Sequence, residues 1–495
     1  MPSIRNALSM LFVVASSLVL TAQTTPPQAA RTYTTPRQAE LTQQFQQFLS
    51  IPNVAADPAN LRRNADFLVA QLQQRGVEAK LLTGPGLPAT VPPVVFGEIK
   101  TPGAKRTIVF YAHYDGQPVT PSEWDTGKPF TPIIKQVDGE PRIYARGAGD
   151  DKAAIFAQLT ALSALQAAHI PLQANIRFVW EGEEEAGSAH LEEILIANRD
   201  LIHGDVWLVC DGPVDQTRRQ TLIFGARGDA HLQITVYGPN RSLHSGHYGN
   251  WAPNPAMMLV QLLAGMKDAD GHVLIPHFYD GVAPLGPIEK QALANAPVND
   301  DMLRKELALG HTDGGNKHLL ELLNQPSLNI NGISSGQTGA HSTNSIPPTA
   351  TANLDLRLVV GIDPKTQQQR VIDYIRAQGY FITITAPPTR DQLLTNPKVA
   401  YIQADEGEPA SRTPIDLPIA TEVIQAIESA RGKIILLPTS GGTVPLDAME
   451  RAANTRTISV PIANHDDNQH AANENLRLQN LWDGIETMAA LIAMP

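Results

Sequence analysis

Between Val94 and Asp211 the chain repeats one pattern: a short apolar run, a polar break, then a helix-forming stretch. Val94-Val-Phe-Gly-Glu-Ile99, Thr107-Ile-Val-Phe-Tyr-Ala112, Asn175-Ile-Arg-Phe-Val-Trp180 and Asp205-Val-Trp-Leu-Val-Cys210 are each bounded by turn-forming or helical segments. Runs of this length and apolarity read as buried strands. Their alternation with helices sets the expected fold class as α/β, a mostly parallel sheet with helices on both faces. The polar residues fall where the strands end. His113 and Asp115 follow the second run, Glu184 and Glu185 the third, and Asp211 the last. Asp150 opens a helix with Ile155, Leu159, Leu162 and Leu165 on one face. In open α/β sheets, ligands bind beyond the carboxyl ends of the strands.

At 495 residues the chain exceeds what one ordinary core accommodates, and two domains are expected. A hydrophobic content of 42% and a charged content of 18% describe a folded protein, and the net charge of -11 argues against a nucleic-acid partner. Residues 1–22 read as a secretory signal: one arginine, an apolar core around Leu11–Leu20, and a small-residue exit at Thr21-Ala22. The apolar run is shorter than the roughly 20 residues of a membrane span. Residues 23–37, rich in Thr, Pro and Gln, read as a disordered leader. The expected location is secreted or periplasmic. The single cysteine, Cys210, has no partner for an internal disulfide and reads as a packing residue in a strand.

After Arg227 the pattern changes. Ala230–Tyr237 alternates as a half-exposed strand, Ala256–Met266 is an apolar helix, Thr351–Val360 a long strand, Lys365–Gln378 a helix and Tyr380–Thr385 a strand. A long Gly- and Pro-containing segment from Ala269 to Gln337 interrupts them, and Pro387-Pro388 closes the unit. A helix from Ile415 to Ala430 and strands at Lys433–Leu437 and Thr457–Val460 return to the first pattern. The expected division is a main domain of residues 38–226 and 388–495, with a small α+β domain of residues 227–387 inserted into it.

Asp150 has two readings at this level. A helix N-terminus favours an ionised carboxylate, the form a metal ligand needs, yet capping is the commoner role of Asp there. Its company favours the metal. His113, Asp150, Glu185, Asp211 and, near the C-terminus, His470 form a mixed His and carboxylate set suited to zinc or similar ions. Five groups exceed one tetrahedral ion and suit two ions that share a carboxylate, an arrangement that clamps attacking and leaving groups.

These residues resemble the di-zinc exopeptidases of the aminoacylase and carboxypeptidase-G type, and most closely the carnosinase-like dipeptidases. The matching pieces are His113-Tyr-Asp115, Glu123-Trp124 with Pro129-Phe130, Arg146-Gly-x-x-Asp150-Asp-Lys152, Glu184-Glu185-Ala-Gly-Ser188 and Asp211. Leu243-His244-Ser-Gly246, Leu356-Arg357-Leu358, Gly441-Gly442-Thr-Val-Pro445 and His470-x-x-Asn-Glu474 follow in the same order. The resemblance implies a zinc-exopeptidase catalytic domain with an inserted ferredoxin-like lid and dimerisation domain. It also implies a site with two divalent ions, zinc first and manganese or cobalt as alternatives. His113 and Asp211 would bind one ion, Glu185 and His470 the other, and Asp150 would bridge. Asp115 would fix the His113 tautomer. Glu184 would act as general base toward a metal-bridging water. The peptide bond Asp150–Asp151 would be cis, with Asp151 structural. His244 would reach the partner subunit's site in a homodimer and stabilise the oxyanion. Arg357 would hold the substrate's terminal carboxylate, with Gly441, Gly442 and Thr443 lining that end of the pocket.

Several alternatives stay open. Arg357 can be an ordinary strand arginine, and Thr443 a loop residue without substrate contact. Ala153 stands where the family has glycine, and Gly339–Pro347 lacks a lysine common in carnosinase-like members, so that either His341 substitutes or that substrate contact is lost. The expected function is a secreted di-zinc exopeptidase acting on dipeptides or on C-terminal residues of short peptides. One alternative is an amidohydrolase acting on N-acyl amino acids, and another a non-catalytic metal-binding homologue. A serine hydrolase is excluded for want of a Gly-x-Ser-x-Gly elbow.

Overall fold

The structure is a computed structural model that describes residues 24–495. The expected signal at 1–22 lies outside the described residues. An eight-stranded sheet runs in the order Glu78–Leu82, Val94–Ile99, Asn175–Glu181, Thr107–His113, Val206–Val209, Thr457–Ser459, Thr221–Ile223, Ile435–Leu437. Its four central strands, from Asn175–Glu181 to Thr457–Ser459, are parallel, and antiparallel pairings are confined to the flanks. The central strands are buried almost throughout, which accounts for their unbroken apolar runs.

Helix Lys152–Ala167 is apolar around nearly its whole circumference and buried accordingly. It packs against helices Pro26–Thr34, Gln38–Leu49 and Leu478–Ile492 as well as the sheet. A single inward face, the sequence expectation, is therefore too narrow. The leader expectation is also corrected: residues 26–34 form a helix, not a disordered segment. Thr25 caps it, accepting from the Gln28 N–H while the Gln28 side chain returns to the Thr25 N–H. Ala29 and Ala30 are buried against the core, and Arg31 holds Glu486 through Nε and Nη2 at 2.8 and 2.7 Å. Composition suggested disorder because small and polar residues dominate, but small residues are what a close helix–helix contact requires.

A second, five-stranded sheet is ordered Ser327–Ser334, Thr349–Leu358, Gly228–Tyr237, Val399–Ala404, Phe381–Thr383. All pairings but the last are antiparallel. Helices Pro255–Ala264 and Pro364–Ala377 cover one face and build its core with Leu232, Ile234, Leu354 and Leu356. The other face carries polar side chains. The inserted unit runs past Pro387-Pro388, because strand Val399–Ala404 pairs with Gly228–Tyr237 across six residues. The boundary at 387/388 is thus too early: two prolines end a local element without ending a sheet.

A small antiparallel sheet of Ile133–Val137, Glu140–Tyr144 and Asn475–Arg477 joins the middle of the chain to its C-terminal part. Among the described residues no helix is long and apolar enough to cross a membrane.

Ala30→Glu tests the corrected role of the first helix. It buries an unpaired charge against the core and is expected to cost roughly 3–5 kcal/mol, read as a lowered midpoint in urea unfolding. An unchanged midpoint would mean that the helix does not dock.

Candidate active site

Strand Thr107–His113 delivers His113 fully buried at its carboxyl end. The next strand over, Val206–Val209, delivers Asp211 two residues past its end. Strand Asn175–Glu181 runs into the turn that bears Glu184 and Glu185. Asp150 and Asp151 precede helix Lys152–Ala167, with a cis peptide bond between them.

Two groups of metal-capable side chains result, His113 with Asp151 and Asp211, and Asp150 with Glu185 and His470; within each group the ligand atoms lie within 4.8 Å of one another. Asp150 stands between the groups. Its Oδ1 is 2.8 Å from His113 Nε2 and its Oδ2 is 3.2 Å from His470 Nε2. His470 Nε2 is also 3.2 Å from Glu185 Oε2. All five sequence-derived ligand candidates therefore meet in one place, with Asp151 beside them. Asp151 also accepts a 3.3 Å hydrogen bond from the His113 backbone N–H.

The charges respond strongly to this crowding. Burial, with Asp150 as the next cause, pushes the Asp211 carboxyl up to about 7. Burial likewise raises Glu184 well above the carboxylate range, with Asp211, Asp150 and Glu185 adding to it and His113 opposing. Burial alone would lower His113, but its contacts with Asp115 and Asp150 outweigh that and raise it. Hydrogen bonds to Asp150 and then Glu185 lift His470 to about 10. Carboxylate is in excess over the cations the site itself supplies, and Glu185 Oε1 and Asp211 Oδ1 are buried without a hydrogen-bond partner. This donor set fits divalent cations, which neutralise such an excess.

Asp115 lies beside the free ring nitrogen of His113, its Oδ1 3.3 Å from Nδ1. Its two oxygens also accept the backbone N–H groups of Glu184 and Glu185, at 3.2 and 3.0 Å, a role the sequence did not show. Asp115 thus ties the turn carrying both glutamates to the end of the neighbouring strand.

The loop Arg146–Asp150 is held from the far end of the chain. Glu474 Oε2 accepts from Arg146 Nη1 (2.8 Å) and the Gly147 N–H (2.9 Å), and Oε1 from the N–H groups of Gly149 (2.8 Å) and Asp150 (3.0 Å). Both charged side chains are buried. Gly147 has φ 79°, and a Cβ at Gly149 would stand 2.9 Å from Asp467 Oδ2, so both glycines are required. Two amides missed by sequence reasoning also reach the site. Gln117 Nε2 donates to Glu185 Oε2 (2.7 Å) and Gln469 Nε2 to Asp150 Oδ2 (2.8 Å). Their one signal is proximity in sequence, to His113 in one case and His470 in the other.

The remaining candidates lie apart. Arg357 Nη1 donates to Thr443 Oγ1 at 2.9 Å, joining the inserted sheet to the loop of the main domain. Gly441 and Gly442 are exposed in that loop; a Cβ on Gly441 would contact Leu323, while Gly442 faces open space. His244 is exposed. Its Nδ1 accepts from the Gly246 N–H (3.1 Å), its ring lies 4.6 Å from that of His247, and it joins neither metal-capable group.

The sequence model of peptidase family M20/M25/M40 matches residues 109–494. The chain belongs to this family. It is a metallopeptidase, similar along most of its length to proteins with that activity. It is 27% identical over 479 residues to Beta-Ala-His dipeptidase of Mus musculus, covering 92% of each chain. It is 26% identical over 460 residues to Cys-Gly metallodipeptidase dug1 of Schizosaccharomyces pombe, covering 90% of this chain and 93% of that one. Among solved structures it is similar to the M20 family metallo-carboxypeptidase Sso-CP2 from Sulfolobus solfataricus. That match has a TM-score of 0.77 and 27% identity, covering 92% of this chain and 99% of the other.

Glu474→Gln should leave Arg146 as an uncompensated buried charge and cost roughly 3–5 kcal/mol of stability. Urea unfolding of the metal-free protein reads this directly; a loss below about 1 kcal/mol, the range of an exposed pair, would mean that the loop is held by something else.

Proposed function

We propose that this peptidase hydrolyses dipeptides, using two divalent metal ions, zinc first among them. The observation that carries the proposal is the position of Asp150, whose two oxygens face histidines from two separate ligand groups. His113 and Asp211 would hold one ion, Glu185 and His470 the other, and Asp150 both. When bound, such ions supply Lewis acidity toward a scissile carbonyl and toward water.

The chain's own residues account for the rest. Glu184 follows the Glu181 strand end and stands beside Glu185 without belonging to either ligand group. Its raised proton affinity suits a base that removes a proton from attacking water and passes it to the departing amine. Asp115 keeps Glu184 and Glu185 in register through their backbone N–H groups. Arg357 and Thr443 would receive the terminal carboxylate, a planar anion matched to a guanidinium fork. A dipeptide is favoured over a longer peptide or an N-acyl amino acid by the two curated relatives above, both named dipeptidases. The exposure of His244, away from the ligand groups of its own chain, supports its use in a partner subunit's site and hence a homodimer. The apolar run within residues 1–22 supports export to the periplasm or the exterior.

Glu184→Gln is expected to retain both metal ions by elemental analysis while kcat falls about 10²–10⁴-fold on a panel of dipeptides, tripeptides and N-acyl amino acids. Full activity in a metal-loaded variant would refute the base assignment, and faster wild-type turnover of N-acyl amino acids would favour deacylation. In sedimentation, activity should follow the dimer, and His244→Ala should lower kcat without altering metal content. A fully active monomer would remove the shared-site proposal.

A further inference from the structure

Arg357 and Thr443 are only the visible part of a longer arrangement on the open face of the inserted sheet. In the antiparallel pairing of Gly228–Tyr237 with Thr349–Leu358, Asp229 lies opposite Arg357 and His231 opposite Asp355. Residues directly opposite and two apart along a strand share one face, so these four side chains form a compact block. Asp355 Oδ1 lies 3.2 Å and Oδ2 3.3 Å from Arg357 Nε. On its other side, Asp355 Oδ1 is 3.5 Å from His231 Nε2. His231 is itself held, with Nδ1 2.6 Å from Asp405 Oδ2 and its backbone N–H donating to Asp405 Oδ1 at 2.9 Å.

Asp355 is only 9% exposed, whereas Arg357 is 29% and His231 46% exposed. A carboxylate kept from water on the polar face of a sheet costs stability unless it serves its neighbours. The guanidinium is engaged at Nε by Asp355 and at Nη1 by Thr443, while Asp229 approaches Nη1 no closer than 3.7 Å. Among the described residues, no acceptor takes a hydrogen bond from Nη2.

We propose that Asp355 is the positioning residue of the carboxylate subsite, fixing Arg357 through Nε so that its Nη edge is presented to the substrate's terminal carboxylate. This rests on the reading of Arg357 as the carboxylate-binding group. An arginine on a long, flexible stem loses rotamer freedom on binding, and holding it in place beforehand removes that loss from the binding step. Asp355 touches no substrate. Its effect falls on affinity for a free carboxylate, not on the chemical step.

The test compares an alanyl dipeptide as substrate with its C-terminal amide as competitor, using the metal-loaded full chain. Asp355→Asn should raise KM for the free acid roughly tenfold, the scale of one charge-assisted hydrogen bond. kcat should change less than about twofold, and Ki of the amide should not move. The double variant Asp355→Asn/Arg357→Met should be no worse in KM than Arg357→Met alone, because the two residues act as a unit. Asp355→Glu, which keeps the charge but displaces it, serves if the Asn variant does not fold, and should show the same selectivity in smaller measure. A KM for the acid unchanged in these variants, or a loss shared equally by acid and amide, overturns the proposal. If Arg357→Met itself fails to separate acid from amide, the carboxylate reading of Arg357 falls instead.

Discussion

A single buried carboxylate organises the centre of this protein. Glu474 accepts four N–H groups, one from Arg146 and three from the backbone of the loop that ends in Asp150. Both side chains are buried, so together these bonds hold the loop far more firmly than a solvent-exposed pair would. Burial pushes the Glu474 carboxyl upward, while Arg146 and the loop amides favour its charged form. The price of that burial is met only in the folded chain, where residues separated by more than 300 positions are brought together by pairing of Asn475–Arg477 with Glu140–Tyr144. Without this strand pairing, Asp150 would have no fixed orientation relative to His113.

Around that anchor the metal-capable residues come from five different segments, several of them tied to one another. Asp115 fastens the Glu184–Glu185 turn to the His113 strand. Gln117 donates to Glu185 and Gln469 to Asp150. Lys152, fully buried at the start of the central helix, donates from Nζ to the carbonyls of Phe48 and Ile51 and connects that helix to the N-terminal segment. The result is a site whose carboxylates are held by hydrogen bonds from neighbouring segments.

The second organising contact crosses between the two sheets. Arg357 belongs to the inserted unit and Thr443 to the main domain, and their hydrogen bond joins the two. Arg227 reinforces the same corner, its Nη2 donating to the Gln325 carbonyl and Ser327 Oγ at 2.9 Å. The insert's polar sheet face, left bare by the two helices on the other side, supplies charged side chains to the region between the domains.

Much of this was legible in the residues themselves. Apolar runs with polar termini pointed to a buried, mostly parallel sheet and to the edge at which ligands gather, because burial is a local consequence of pattern; the direction of Val94–Ile99, which pairs antiparallel, was not legible in this way. His113, Asp150, Glu185 and Asp211 could be singled out because few side chains suit a cation, and these fell at strand and helix ends; His470, in a loop, had no such position to mark it. The N-terminal helix could not be read, since its small residues gain stability only against helices Lys152–Ala167 and Leu478–Ile492. Nor could the end of the insert, because strand Val399–Ala404 finds its partner about 165 residues away. Residue type and order determined the fold class and the set of metal-capable candidates. Only the tertiary structure decided that Asp115 holds a turn, that Glu474 holds a loop and that Asp355 stands behind Arg357, because each depends on which backbone N–H or guanidinium comes within about 3 Å of a carboxylate.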